Sequence, residues 1–226
     1  MKNVLVIIKK QIEDTLKNKT ILIQFVMFPV MTLIMENAVK MDDMPEGFFA
    51  KLFAVMYVGM APLVSTAAII SEEREKNTLR VLMMANVKPS EYLAGVVIYV
   101  WFICMIGAAS MSSMTERVMR GRFLAVMAVG IIVSATLGAC IGIFSGTQMK
   151  ATSLTIPCMM ILSFSPMLSM FNDTIRKVTA PVFTCRLKQM LDESAISVKG
   201  MIIVIINLIL FLCLFIAAYR AKDLSE

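Results

Sequence analysis

The chain contains no histidine. That removes the usual general base near neutral pH, the usual zinc ligand and the partner in a His-based nucleophile dyad, so hydrolytic chemistry is a poor fit. The five cysteines form no Cys-x-x-Cys pair. Cys104, Cys140, Cys158 and Cys213 sit in apolar runs as small hydrophobes, and Cys185 stands alone in a polar stretch. This spacing argues against a disulfide framework or a metal cluster. Charge is scarce too, at 17% of residues against 58% in the AVILMFWYC set, and mean hydropathy is +0.80. Soluble domains are about a quarter charged and about half apolar, so the composition points into a bilayer and leaves no length for a sizeable aqueous domain. The 22 Lys and Arg exceed the 16 Asp and Glu, and the pI is near 9.1. These cations flank apolar runs instead of gathering on one face. They read as membrane-surface anchors, and nucleic acid is not an expected partner.

Six apolar runs stand out: Ile21 to Met35, Phe48 to Ile70, Tyr92 to Met114, Phe123 to Phe144, Leu154 to Phe171 and Met201 to Ala218. The expected fold is an all-α integral membrane protein with six transmembrane helices, a single transmembrane domain over residues 1–226. The first run covers only about 22 Å at ~1.5 Å per residue. It must borrow Ala38 and Val39 to cross a hydrocarbon core of about 30 Å, and Pro29 should kink it. No Asp, Glu or Arg lies in the six runs, and Lys51 is near enough to an end to snorkel. Within residues 1–20, Val4, Leu5, Ile8, Ile12 and Leu16 recur at helical spacing against Lys9, Lys10, Glu13, Asp14 and Lys17. This predicts an amphipathic helix on the membrane surface. The alternative is a charged extension of the first span, because the block from Val4 to Ile8 covers more than one face. Charges from Glu13 to Lys19 and the lack of a small-x-small site argue against a cleaved signal peptide.

Orientation rests on cations in the connections. A cytoplasmic N-terminus collects Lys2, Lys9, Lys10, Lys17, Lys19, Arg74, Lys76, Arg80, Lys88, Lys150, Arg220 and Lys222 inside. It leaves Arg117, Arg120 and Arg122 in a short outer loop, against the rule, and five more cations in the exterior segment 172–200. Between the second and third spans, residues 71–90 divide into a dense charged turn, Glu72 to Lys76, and a short amphipathic helix with Leu79, Leu82 and Met83 on one face. Asn77 is a natural break, since Asn tolerates the left-handed conformation and caps a following helix at Thr78. Pro89 ends the second piece. Chemistry alone leaves two readings of this segment open: a docking surface for a cytoplasmic partner and a solvated interfacial helix.

The run Glu73-Arg-Glu-Lys-Asn-Thr-Leu-Arg-Val-Leu82 resembles the signature after the second span of ABC-2 type permeases, the membrane subunits of ATP-binding cassette exporters. In that family an acidic and basic turn precedes Gly-Thr-Leu and a coupling helix. The layout is similar along the whole chain: a surface helix, six spans, the motif between the second and third, and a long exterior connection before the sixth. Asn77 replaces the family's Gly, and Val96 stands where a Lys often occurs. The resemblance implies a permease without chemistry of its own. No G-x-x-x-x-G-K-[ST] occurs, so ATP and Mg would be bound by a separate ATPase subunit and no cofactor by this chain. Two permease halves, identical or different, would form a dimer over that ATPase in a bacterial plasma membrane, with the N-terminus cytoplasmic. Glu72, Glu73, Arg74, Glu75 and Lys76 would make polar contacts at the ATPase surface, and Thr78, Leu79, Leu82 and Met83 would dock into its groove.

In the fourth span Gly130, Ser134, Gly138, Gly142 and Gly146 recur every four residues, a stripe that lets another helix approach closely. An intrachain neighbour is the plainer partner for it, a dimer contact the alternative. Gly107, in a span without the stripe, is expected to tolerate a bulky side chain better. The fifth span carries Pro157, Cys158, Met159, Met160, Pro166 and Met167. Prolines there free backbone carbonyls that neighbours or a wet cavity must satisfy, and methionines form an adaptable lining. These residues are expected at the pathway or dimer interface, where the resembled family places this span; a kinked helix buried within one subunit is the other reading. Within 172–200, Leu187, Met190 and Leu191 form a helical triplet similar to the exterior helices that cap the family's pathway. The competing function is an ion-coupled secondary transporter or channel. It would need ionisable groups inside the membrane, which the runs lack. An intramembrane enzyme would need a nucleophile and base. Spans without fixed charge favour a hydrophobic or amphipathic cargo, and family analogy suggests antimicrobial or signalling peptides, else lipid or drug.

Overall fold

The computed structural model describes residues 7, 8, 10–12, 19–39, 47–84, 89–193 and 197–223. The chain is all-helical, with no strand among the described residues. The helices are α1 (Lys19–Ala38), α2 (Phe48–Glu75), α3 (Thr78–Met84), α4 (Pro89–Ser112), α5 (Arg120–Ser145), α6 (Gln148–Phe171), α7 (Asp173–Val178), α8 (Phe183–Asp192) and α9 (Val198–Asp223). Residues 7, 8 and 10–12 are also helical. The expected apolar positions Val4, Leu5 and Leu16 and the charges Lys2, Lys9, Glu13, Asp14 and Lys17 lie outside the described residues.

Among the described residues, five helices are long and apolar enough to cross a membrane by themselves: Phe48–Glu75, Ser90–Ser112, Arg120–Ser145, Gln148–Phe171 and Val198–Tyr219. The remaining apolar run lies in α1, a helix of 20 residues that is apolar over Leu22–Ala38. Its last turn is tied to the next helix: the Glu36 carboxylate accepts the backbone N–H groups of Gly47 (2.9 Å) and Ala50 (3.2 Å) at the start of α2. Glu36 therefore belongs to α1 and not to the connection after it. A carboxylate at those unsatisfied donors is the favourable sign for a helix N-terminus. Several helices also outrun their apolar runs. α2 continues through Ser71 to Glu75, and α6 begins at Gln148, six residues before Leu154.

α2 is the central helix, buried along most of its length. The small-residue stripe of α5 lies against it. A Cβ on Gly138 would stand 2.3 Å from the Leu63 carbonyl oxygen, and one on Gly142 would stand 2.8 Å from Ile70 Cβ. Ser134, between Gly130 and Gly138 in sequence, is fully buried, and a Cβ on Gly130 would strike Leu187 of α8 and Val58 of α2. The stripe is an intrachain contact, and close packing of this kind replaces the hydrophobic drive that lipid removes. Gly146 departs from it. With φ at 70° it is the left-handed C-cap of α5, where glycine carries no Cβ penalty. The expectation for Gly107 is overturned: a Cβ there would meet the Tyr57 hydroxyl at 2.7 Å and Pro29 at 3.1 Å. α6 also packs along α2, where Gly59 approaches Leu162 and Ser163 and the Ser163 hydroxyl donates to the Met56 carbonyl.

At the bundle end away from α3, α8 is tucked in with Leu187, Met190 and Leu191 all buried. Arg122 donates to the carbonyls of Met190 and Glu193 at the C-terminus of α8, and Arg120 donates to those of Ser113 and Thr115. These two arginines, awkward for topology, hold helix ends.

Candidate functional site

The segment 71–90 is built differently from a charged turn followed by a helix. Glu72 to Glu75 form the last turn of α2, Lys76 is its C-cap, and Asn77 adopts φ 56°, the left-handed break. α3 then starts at Thr78, whose hydroxyl donates to the Glu73 carbonyl across the break. Residues 85–88 lie outside the described residues, as do the side chains of Arg80, Leu82 and Met83, so the docking roles expected of Leu82 and Met83 fall outside the described positions.

Three consecutive residues of that last turn reach four other elements. Glu73 is 5% exposed. Its Oε1 accepts from Lys10 Nζ (2.6 Å) and Gln11 Nε2 (2.7 Å) of the N-terminal helix, and its Oε2 accepts from the Tyr92 hydroxyl (2.5 Å) of α4. Arg74 donates to the Ile143 carbonyl in the last turn of α5. Glu75 accepts the Gln148 backbone N–H (2.8 Å) at the first residue of α6. Each contact places charge where a helix end or buried donor wants it: a cation on the carbonyl end of α5, a carboxylate on the amide end of α6. Ile7 extends the same junction by packing on Gly95 of α4. The N-terminal helix is therefore seated on the bundle at Ile7 and Gln11, both buried.

Glu73 is thus turned inward, and so is Leu79, which is 7% exposed. This corrects the expectation that Glu73 meets a partner's surface and Leu79 a partner's groove. The Glu72 and Lys76 pair (2.5 Å), Val81 and Met84 remain outward, the last two at 62% and 75% exposure. Sequence reasoning missed Val81 and Met84 because it assigned the apolar face by spacing, while tertiary packing took Leu79 for this chain's core. Tyr92, Lys10 and Gln11 were missed because their partner lies 19, 63 and 62 residues away.

On α6, Pro166 is buried, Cys158, Met159 and Met167 are partly buried, and Pro157 and Met160 are exposed. The helix is one-sided: Leu162, Ser163 and Ser165 face the bundle, while Ile161, Phe164 and Leu168 join Met160 on the open face. Compared with known proteins, the chain matches no family model and no curated protein.

Proposed function

We propose that this chain is a permease subunit of an ABC-2 type exporter, paired with a second permease subunit and driven by a separate ATPase that docks at α3. The observation that carries the reading is the junction at the end of α2. A force on α3 would pass through the Thr78 to Glu73 contact into a turn that grips the N-terminal helix, α4, α5 and α6 together. Exposed Val81 and Met84 supply the apolar anchor for a partner, and the rim pair Glu72 and Lys76 adds orientation more than affinity. On this reading Glu73, Arg74 and Glu75 transmit the ATPase's motion and do not contact it.

The alternative of an ion-coupled transporter is less well supported. The buried charged side chains among the described residues, Glu73 and Lys188, sit at the ends of the bundle, and a coupling ion needs ionisable groups near the middle. The proposed cargo is hydrophobic or amphipathic, a peptide before a lipid or drug, because beyond Lys150 in its first turn the exposed face of α6 offers methionine and aromatic surface and no charge. The test is cargo accumulation in inverted vesicles holding the chain and its ATPase. Accumulation should require ATP and persist when proton and sodium gradients are collapsed. Uptake that follows an ion gradient without ATP would favour the alternative.

A further inference from the structure

A cavity of about 410 Å³ lies at the end of the bundle opposite α3, where α6 gives way to α7 and α8. Arg176, Lys177, Arg186 and Lys188 line it against one carboxylate, Asp192. Lys188 is buried and neutralised by Asp192 at 2.5 Å. Arg176 is paired with Asp173, both largely exposed, a weak contact in water. Arg186 is held by neutral groups only, donating from Nε to the Ala180 carbonyl (2.8 Å) and from Nη1 to Gln189 Oε1 (2.7 Å). Lys177 has no ion-pair partner among the described residues. Cys185, also at the wall, has its thiol pushed up by burial and so adds no negative charge near neutral pH. The cavity therefore carries uncompensated positive charge around a guanidinium pre-oriented by its own hydrogen bonds, the arrangement that favours an oxyanion.

The α6 wall is mostly apolar: Pro166 and Met170 face the cavity beside one hydroxyl-bearing residue, Ser169. At about 100° per residue, Met170, Met167, Met160 and Ile156 fall within one arc of α6, and Met170, Met160 and Ile156 are each roughly half exposed. A cationic pocket at the end of a span thus opens onto an apolar strip running into the membrane.

From this juxtaposition we infer that the pocket binds the anionic head of an amphiphile, a phosphate or carboxylate group, whose apolar chain lies along the Met170, Met160 and Ile156 strip. This deepens the exporter reading by naming a cargo class for the same helix, and it rests on that reading for its role in transport. Binding itself needs neither ATP nor a partner, so it is tested apart from transport. The chain, purified in a neutral detergent, is examined by native mass spectrometry with phosphatidylglycerol, phosphatidylcholine or inorganic phosphate. Phosphatidylglycerol adducts should exceed those of phosphatidylcholine at least fivefold, with inorganic phosphate alone retained weakly. The Arg176→Gln/Lys177→Gln variant, altered only at exposed positions, should lose the excess. Lys199→Gln, exposed and outside the pocket, should keep it. Equal retention of the two lipids, an unchanged excess in the double variant, or phosphate held as well as phosphatidylglycerol would overturn the proposal, the last because it would show a site for a free anion only.

Discussion

Glu73 is the residue on which the α2 junction turns. Its carboxylate satisfies three donors from two other elements, and a buried donor left without a partner costs about 1–3 kcal/mol. Glu73→Ala should therefore lower stability by about 2–4 kcal/mol, read as a fall in the thermal unfolding midpoint in detergent, whereas Glu72→Ala, at an exposed pair, should change it little. Equal effects would mean that the junction is not a unit. Glycines make a second comparison. Gly138→Leu must push α5 off the Leu63 carbonyl, while Gly121→Leu meets nothing within 4 Å. The first should cost at least the ~1–3 kcal/mol typical of overpacking and reduce folded yield, and the second should be tolerated. Gly107→Leu should now resemble Gly138→Leu. Asn77 was legible from sequence because its side chain makes the left-handed break permissible locally. The inward role of Glu73 was not, because a charge run reads as solvated until partners some sixty residues distant are known.

At the scale of elements, long apolar runs announced the helices, but their ends were hidden. α2 and α6 extend into polar sequence because the carboxylates there find donors: Glu75 accepts the Gln148 backbone N–H, and Glu73 accepts the Tyr92 hydroxyl. A run-length criterion stops where hydropathy falls, while a helix stops where its donors and acceptors are no longer met. The same difference explains α3. Periodicity identified an amphipathic helix, but which stripe faces outward depends on how Asn77 turns the chain. The consequence is specific. Val81→Asp/Met84→Asp should leave the unfolding midpoint near wild type and weaken association with the ATPase at least tenfold, measured by titrating the ATPase onto the chain in detergent. Leu79→Asp should instead destabilise the chain itself, by burying an unpaired carboxylate in its own core. A stable, fully binding Leu79→Asp variant would contradict the packing described.

For the whole molecule, α6 and α9 carry open apolar faces. The proposed pairing brings α6 to the partner subunit, with Cys158 beside exposed Pro157 as reporter. In a variant retaining only Cys158, a bifunctional thiol reagent should yield dimer, in an amount that changes when the ATPase is trapped with nucleotide. Monomer alone in both states from a transporting protein would move the interface elsewhere. The stripe of α5 was legible as a packing surface, and its partner became clear only when α2 proved to be the central helix. The multi-pass character was legible from composition, whereas the contact by which Glu36 ties α1 to the start of α2 was not.

The most direct test of the account is ATP hydrolysis by the purified ATPase reconstituted with the wild-type chain, with Val81→Asp/Met84→Asp, and by the chain alone. The chain alone should be inactive, the wild-type pair should hydrolyse ATP with stimulation by cargo, and the variant pair should lose that stimulation while remaining folded. Hydrolysis by the rigorously purified chain, or full cargo stimulation in the variant pair, would contradict the claim that this protein is a permease driven through α3.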